Sequence, residues 1–341
     1  MKKIMVSLVV LISVFVLAGC GTGQQGTTPV GTSTPTVQAT VTTSGTASAT
    51  PTPSPGPTSP INALWMSDAT TGWARTTTHR ILHTTDGGKS WQDVTPPYPA
   101  GSTVQLPPAF AFLSGTVAWV AVSEKQQPDG TIPNVLFRTS DGGHTWQEAM
   151  LPSSLLGVSQ VQFVNAQDGW VLAGFGGVAA GSQAVDLFRS TDGGQTWSTV
   201  ARAPGSLPLG GDKSGMGWAS ATTGWVTGCV CAAENTVLLS RTQDGGVTWQ
   251  SQSLPLPALQ ATITTQPPVF FSATEGLLPV TFNDGGSTIL AVYATHDGGT
   301  TWSHSTLLSA AGSARVLAVN NFSTYGLIRA ADCASPSSRS C

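Results

Sequence analysis

Along residues 61 to 308, short apolar runs alternate with polar turns that are rich in glycine. Five of these runs, such as VDLFRS and TVLLSR, lead into an Asp-Gly-Gly turn, and a short segment that begins with tryptophan follows each turn. A short apolar run bounded by turn residues predicts a strand, and Asp-Gly supplies the positive φ angles of a tight hairpin. Helical periodicity of any length is missing from this region. Each turn therefore predicts a β-hairpin.

A second pair of strands is predicted upstream of each hairpin, where an aromatic or apolar residue is followed about seven residues later by Gly-Trp or its equivalent. The pairs are Trp65 with Trp73, Phe112 with Trp119, Phe163 with Trp170, Trp218 with Trp225, and Phe271 with Leu277. Successive turn aspartates are 55, 51, 52 and 53 residues apart. Four short strands in a period of about 50 residues indicate a propeller blade.

The sequence therefore predicts an all-β fold, a β-propeller of four-stranded blades with five complete blades and a partial sixth. The partial blade rests on VLAVNNFSTYGLIRA (residues 316–330), which matches the first two strands of a blade and lacks a sixth turn. An open ring would leave exposed strand edges, which favour aggregation. The sequence leaves two alternatives open: a half-built last blade, or a chain that is shorter than its relatives.

The repeated phrase S/T-x-D-G-G-x-S/T-W resembles the Asp box, also called the BNR repeat. That repeat lies between the third and fourth blade strands in sialidases, sortilin-type receptors and photosystem II assembly-factor-like propellers. The preceding Gly-Trp segments (DATTGWA, NAQDGWV and SATTGWV) are most similar to the photosystem II stability/assembly-factor-like group. The five Asp-box pairs are Asp86 and Trp91, Asp141 and Trp146, Asp192 and Trp197, Asp244 and Trp249, and Asp297 and Trp302.

A structural role is expected for these ten residues. The aspartate can accept hydrogen bonds from N–H groups of its own turn, and the tryptophan can bury a large apolar surface beneath it. Calcium binding is the alternative, but each turn offers one carboxylate whereas calcium takes six to eight oxygen ligands. We therefore expect no metal at these turns.

The N-terminus has the pattern of a bacterial lipoprotein signal. Lys2 and Lys3 precede an apolar stretch over residues 4 to 17, which is too short for a comfortable membrane span, and Leu17-Ala18-Gly19-Cys20 resembles the lipobox. The resemblance implies a signal peptide over residues 1–19 and a lipidated Cys20; an ordinary signal peptide is the alternative. Residues 20–60, rich in Thr, Ser, Pro and Gly, are expected to be a disordered linker. The propeller is predicted over residues 61–332, and residues 333–341 form a C-terminal tail.

Charge and cysteine content narrow the possible functions. Charged residues make up 9% of the chain, with 14 Lys+Arg and 17 Asp+Glu, and no basic cluster indicates nucleic-acid binding. Besides Cys20, the even set of Cys229, Cys231, Cys333 and Cys341 permits disulfides in an exported protein, with Cys333 to Cys341 as one plausible bridge. Neither the C-x-C pair nor the five histidines have metal-ligand spacing, so we expect no metal and no cofactor.

Catalysis is not expected from the residues present. Sialidases of the Asp-box class share an early F/Y-R-I-P segment, an arginine triad and a Tyr/Glu pair. The segment is missing here, and Tyr98, Tyr293 and Tyr325 stand in no comparable setting. Two acids could in principle form a glycosidase pair, but no spacing selects them. No G-x-S-x-G elbow is present for a Ser-His-Asp nucleophile.

Three arginines are the candidate binding residues. Arg138, Arg189 and Arg241 stand three residues before the turn aspartate in blades two, three and four, so they are expected to form an arc, called here the arginine arc. His83 and Ala294 hold this position in blades one and five. The alternative is structural: each arginine stacks on a tryptophan of the next blade or pairs with a buried carboxylate. Arginine at this place also resembles the assembly-factor group, which implies a membrane-protein client.

The sequence thus predicts a non-catalytic binding or assembly module outside the cell membrane, anchored by its N-terminal lipid, whose client is a membrane or envelope protein. The alternative is cell-surface glycan binding or sialidase-like glycoside hydrolysis. Glycan binding would need an aromatic platform, for which Trp65 and Trp218 are the candidates, although core packing is the more common role of such residues.

Overall fold

The computed structural model describes residues 59–98, 108–152, 154, 156–174, 181–230, 233–285 and 288–304, together with the backbone of two short strands at Ala47–Ser48 and Leu308–Ala310. The chain divides into two units, Met1–Gln38 and Ala39–Cys341, and every described residue belongs to the second. Cys20, Cys231, Cys333, Cys341 and the predicted partial blade at 316–330 lie outside the described residues. Within the described part, no helix has the length and apolar character needed to cross a membrane.

The strands follow one another in antiparallel sheets in chain order. The first strand, β1, is Ala47–Ser48, and it pairs with the last strand of blade two. Blade one contains β2 (Ile61–Met66), β3 (Gly72–Thr76), β4 (Ile81–Thr84) and β5 (Gln92–Asp93). Blade two contains β6 (Ala109–Phe112), β7 (Ala118–Ser123), β8 (Asn134–Thr139) and β9 (Thr145–Met150). Blade three contains β10 (Val158–Phe163), β11 (Gly169–Gly174), β12 (Val185–Ser190) and β13 (Ser198–Ala203).

Blades four and five are joined into one larger sheet by an extra strand. Blade four contains β14 (Asp212–Trp218), β15 (Gly224–Cys229), β16 (Val237–Thr242) and β17 (Gln250–Ser251). The extra strand is β18 (Thr262–Thr265), which pairs with β15 and with the second strand of blade five. Blade five contains β19 (Val269–Phe270), β20 (Gly276–Asn283), β21 (Thr288–Thr295) and β22 (Ser303–His304), and β23 (Leu308–Ala310) also pairs with β21.

The predicted fold is confirmed: the chain is an all-β propeller whose five complete blades each have four antiparallel strands. The first strands of blades two to five (β6, β10, β14 and β19) are neighbours in space, as the innermost strands of successive blades are. These strands are followed by second and third strands that are almost wholly buried, such as Gly169–Gly174, because each lies between the faces of adjacent blades.

The sheet register shows which first-strand residue lies opposite the residue that begins the second strand. That residue is Met66 in blade one, Phe112 in blade two, Phe163 in blade three, Trp218 in blade four and Phe270 in blade five. Trp65 and Phe271, which the spacing singled out in blades one and five, are one residue away from this position. Adjacent positions of a strand point to opposite faces, so this shift places Met66 over Gly72 and leaves Trp65 opposite Trp73.

The aromatic pairs form between blades. The Gly-Trp indoles are fully buried, and each packs on the first-strand aromatic residue of the next blade. Trp119 stacks on Phe163 and Trp170 on Trp218, both with ring centroids 3.7 Å apart, while Trp225 and Phe270 are 5.0 Å apart. Trp73 and Phe112 are 5.2 Å apart. The propeller core is therefore a series of aromatic contacts between neighbouring blades.

Candidate functional site

The Asp-box carboxylates are occupied by hydrogen bonds from their own turns. In blade two, Thr139 Oγ1 donates to Asp141 Oδ1 at 2.8 Å, and Thr145 donates from N to Oδ1 at 2.9 Å and from Oγ1 to Oδ2 at 2.6 Å. The same three bonds recur around the other four aspartates, which are Asp86, Asp192, Asp244 and Asp297. Each of these carboxylates therefore holds its own loop through hydrogen bonds.

The same bonds keep the aspartates ionised. Donation from Ser90, through its hydroxyl and then its backbone N–H, lowers the pKa of Asp86 to about 2. The equivalent bonds from Thr301 lower the pKa of Asp297 to about 2. At Asp244, burial acts to raise the pKa, but the combined donors, chiefly Thr248, outweigh it and lower the pKa to about 2. Hydrogen bonds to the charged form favour that form.

Each Asp-box turn is also joined to the turn between the first and second strands of its blade. The N–H of the first turn glycine donates to a carbonyl of that other turn, for example Gly193 to Gln167 at 2.8 Å and Gly245 to Thr222 at 2.9 Å. Both turns therefore lie at one end of the blade, which we call the Asp-box end. The loops between second and third strands lie at the opposite end.

The Asp-box tryptophans serve the fold. Trp146, Trp197 and Trp302 are buried, while Trp91 and Trp249 are half-buried. Trp146 Nε1 donates to Val94 O of blade one at 2.8 Å, which joins two blades. Trp197 donates to Gly194 O of its own turn at 3.1 Å.

The Gly-Trp tryptophans make a contact that the sequence did not reveal. Trp119 Nε1 donates to Gly193 O of blade three at 2.8 Å, and Trp170 Nε1 donates to Gly245 O of blade four at 3.0 Å. These two indoles therefore bind the Asp-box turn of the next blade, whereas Trp73 Nε1 donates to Ser114 O, in the turn between the first and second strands of blade two. The repeat spacing could have suggested contact between blades, but not which atoms meet.

The arginine arc lies at the same junctions. Arg138, Arg189 and Arg241 pair across the sheet with the Gly-Trp tryptophan of their own blade. Cross-strand partners share a face, so the guanidinium lies over that indole: Cζ is 5.4 Å from the Trp170 ring for Arg189 and 5.7 Å from the Trp225 ring for Arg241. The stacking partner is therefore in the same blade, not in the next blade.

Few carboxylates neutralise the guanidinium charges of the arc: Asp168 lies near Arg189, and the charge of Asp297 acts on Arg241. Arg189 Nη2 donates to Ala221 O at 3.0 Å and lies 3.5 Å from Asp168 Oδ1. Arg241 Nη2 donates to Thr300 Oγ1 at 3.3 Å. Arg138 makes no ion pair or hydrogen bond with any described residue, and the Nε of all three arginines is buried without a partner there. All three side chains are half-buried.

The arc ends at blade one, where His83 replaces arginine. His83 Nε2 lies 2.7 Å from Gly115 O, which is the position in blade two that Ala221 holds in blade four. Burial lowers the pKa of His83, which favours the neutral ring. The contact of His83 with Gly115 therefore connects blades one and two without adding a charge.

A polar cavity of about 350 Å³ adjoins the last arginine of the arc, at the junction of blades four and five. Its lining is Arg241, Gln243, Asp244, Thr248, Gln250, Ser251, Gln252 and Thr300. One cation, one carboxylate, neutral amides and hydroxyl groups therefore surround a space large enough for a small polar group.

The other candidate residues of the sequence contribute little to a site. Trp218 is buried between Trp170 and Trp249, so its ring faces are not available to a sugar. Trp65 is half-buried on the first strand of blade one. Cys229 is buried and disulfide-bonded, and its partner lies outside the described residues. Among the residues described, no group of three or more His, Cys, Asp or Glu could hold a metal ion.

These features define a β-propeller built from Asp-box repeats. The family described as BNR/Asp-box repeat matches residues 188–199, which contain the turn of blade three. No curated protein sequence matches the chain.

Solved structures resemble the chain in architecture. YCF48 bound to D1 peptide is 13% identical, with a TM-score of 0.39 over 72% of this chain and 81% of that one. YCF48 from Cyanidioschyzon merolae is 17% identical, with a TM-score of 0.38 over 75% and 88%. The GH74 enzyme of Niastella koreensis is 13% identical, with a TM-score of 0.41 over 73% of this chain, which spans 45% of the enzyme. Likenesses of this size do not assign a function.

Proposed function

We propose that this propeller is a non-catalytic binding or assembly module, and that its arginine arc holds a membrane or envelope protein. The proposal rests on one observation: three equivalent guanidinium groups lie half-buried at successive blade junctions, with a single carboxylate contact at 3.5 Å among them. A half-buried cation that is only partly neutralised attracts an anion more strongly than an exposed one, since solvent screens it less. The client surface is therefore acidic.

Arginine suits this role because its planar fork can donate two parallel hydrogen bonds to a carboxylate. Stacking on Trp170 and Trp225 fixes the orientation of two of the guanidinium groups before a partner arrives. A preorganised side chain loses less conformational entropy on binding.

We propose further that Cys20 carries a lipid and that residues 21–60 connect the propeller to the outer face of the cell membrane. A Cys20→Ser variant should move from the membrane fraction to the soluble fraction of the extracytoplasmic compartment. If Cys20→Ser stays in the membrane fraction after a high-salt wash, the lipid anchor is wrong.

Proximity labelling from the anchored protein in its native cells tests the binding role. The wild type is compared with the triple variant Arg138→Gln, Arg189→Gln and Arg241→Gln. Glutamine keeps part of the aliphatic stem that packs on the indoles and removes the charge. The matched control is Arg80→Gln, Lys125→Gln and Arg202→Gln, which removes the same charge at the opposite end of the blades.

A discrete membrane or envelope protein that is labelled by the wild type and by the control, and lost in the arc variant, supports the proposal. Equal labelling by all three proteins contradicts it. Labelling of diffuse wall glycan in every case would place glycan binding or hydrolysis ahead of a protein client.

A further inference from the structure

The junction between blades four and five differs from its neighbours in one hydrogen bond. Trp119 and Trp170 donate directly to a carbonyl of the next Asp-box turn. At Trp225, a glutamine side chain lies between the two groups: Trp225 Nε1 donates to Gln252 Oε1 at 2.8 Å, and Gln252 Nε2 donates to Gly299 O at 2.8 Å. Gln252 is thus a wedge between blade four and the turn of blade five.

Glutamine occupies this position in blade four alone among the five blades. Three residues after the Asp-box tryptophan, the other described blades have Val94, Ala149 and Val200. Val94 and Val200 pack against Gly143 and Gly246, the second turn glycines of the following blades. A polar side chain with two N–H groups and one acceptor oxygen therefore replaces a small apolar one at this junction alone among blades one to four.

Arg241 stands further from the first glycine of the next Asp-box turn than its two counterparts, although its Nη2 contacts Thr300 of that turn. A methyl group placed on Gly193 would lie 3.3 Å from Cζ of Arg138, and one placed on Gly245 would lie 2.7 Å from Cζ of Arg189. At Gly298, the equivalent glycine of blade five, Ala273 O is the only atom of the described residues within 4 Å of such a methyl group. The aromatic pair is also wider here, at 5.0 Å for Trp225 and Phe270 against 3.7 Å at the two preceding junctions.

The cavity of about 350 Å³ lies where these differences coincide. The hydrogen-bond donors of Arg241 are only partly used. Among the described residues, its Nη2 donates one hydrogen bond, to Thr300, and its Nη1 donates none. Gln243 and Gln250 add neutral amide groups to the lining. Asp244 is the one acid of the lining, and its two oxygens already accept bonds from Thr242, Val247 and Thr248.

We infer that the wedged junction is a pocket for a single carboxylate group, held end-on by the Nη1 and Nη2 groups of Arg241 and by the surrounding amides. This inference rests on the proposed binding role and names the chemical group of the client that enters the blade-four junction. A charge-assisted, two-bond contact to arginine is stronger than a neutral hydrogen bond, so a carboxylate is preferred over its amide. The carboxylate can come from an acidic side chain or from a chain terminus.

Ligand-observed saturation-transfer NMR on the full-length protein in detergent tests the pocket with three probes. N-acetylglutamate N-methylamide carries a side-chain carboxylate, N-acetylalanine carries a terminal carboxylate, and N-acetylglutamine N-methylamide is the neutral isostere. We expect saturation transfer to one or both carboxylates, with the amide about tenfold weaker. The carboxylate that responds identifies the source.

Gln252→Val gives the junction the residue type of blades one and three and keeps every arginine, so it should close the cavity and abolish saturation transfer. Gln195→Val makes the same change at an exposed site in the turn of blade three and should leave the signal intact. Arg241→Lys is the second pocket variant, since it keeps the charge and loses the fork; the carboxylate signal should fall about tenfold.

Equal signals from the glutamate and glutamine probes, or an unchanged signal in Gln252→Val, would overturn the pocket. If the carboxylates do not bind while the arc variant still loses its labelled client, the binding role stands and the pocket is wrong. If the carboxylates bind and no client depends on the arc, the pocket stands and the proposed function is wrong.

Discussion

At the residue scale, hydrogen bonds determine the behaviour of the turn aspartates. Asp86 and Asp297 are close to solvent and yet have a pKa of about 2, because hydroxyl and backbone donors within the same turn favour the carboxylate. Their charge therefore belongs to the loop and is not available as a catalytic acid near neutral pH. The chemistry at this end of the molecule comes from the arginines.

Acid should weaken the fold through these aspartates. A carboxyl whose pKa falls from 3.8 in the unfolded chain to about 2 in the folded chain stabilises the fold fully above pH 3.8, and this stabilisation is lost as the pH falls towards 2. Urea unfolding measured from neutral pH to about pH 2 should show a midpoint that is flat at first and then falls in this window. A midpoint that stays constant down to about pH 2 would contradict the assignment.

Loss of one indole N–H should also be measurable. Trp170→Phe leaves Gly245 O without its donor at a buried junction, so we expect a loss of about 1 to 3 kcal/mol in the free energy of unfolding. Trp91→Phe is the control, because that indole is half-buried and its Nε1 binds no described residue; it should cost less than about 1 kcal/mol. Equal losses in urea unfolding would show that the bond between blades contributes nothing.

At the element scale, the two residues of the Gly-Trp dipeptide make different contributions to the packing of the second strand. The glycine leaves room for the aromatic ring of the first strand: a methyl group on Gly169 would overlap the Phe163 ring, and one on Gly224 would overlap the Trp218 ring. The tryptophan reaches the next blade. Sequence spacing predicted both strands but not their register, because spacing alone does not tell which neighbouring side chain covers the glycine. That side chain is Met66 in blade one and Phe270 in blade five.

Gly224→Ala tests this packing. Its methyl group would enter the Trp218 ring, which is stacked on Trp170, so overpacking should cost about 1 to 3 kcal/mol. Gly210→Ala is the control, because no atom lies within 4 Å of the added methyl group. Thermal unfolding should separate the two variants, and a Gly224→Ala protein as stable as Gly210→Ala would contradict the close approach.

At the scale of the whole molecule, the repeat explains how far the sequence could predict the structure. Five Asp boxes at even spacing were enough to predict the blades, the hairpins and the position of the arginine arc, because equivalent residues occupy equivalent places. The wedge at Gln252 could not be predicted, since it depends on which side chain lies between Trp225 and Gly299. The replacement of Val94, Ala149 and Val200 by glutamine was the only sequence signal for it.

If the arginine arc holds the client, the client lies at the Asp-box end of the blades. Site-specific photo-crosslinking tests this position directly. A photoreactive amino acid is introduced at Gln195 or Val247, which are exposed in the turns of blades three and four, and at Gln126 or Leu209, which are exposed at the opposite end. We expect crosslinks to one membrane or envelope protein from Gln195 and Val247 and none from Gln126 and Leu209. Crosslinks to that protein from the opposite end alone, or equally from both ends, would contradict this expectation.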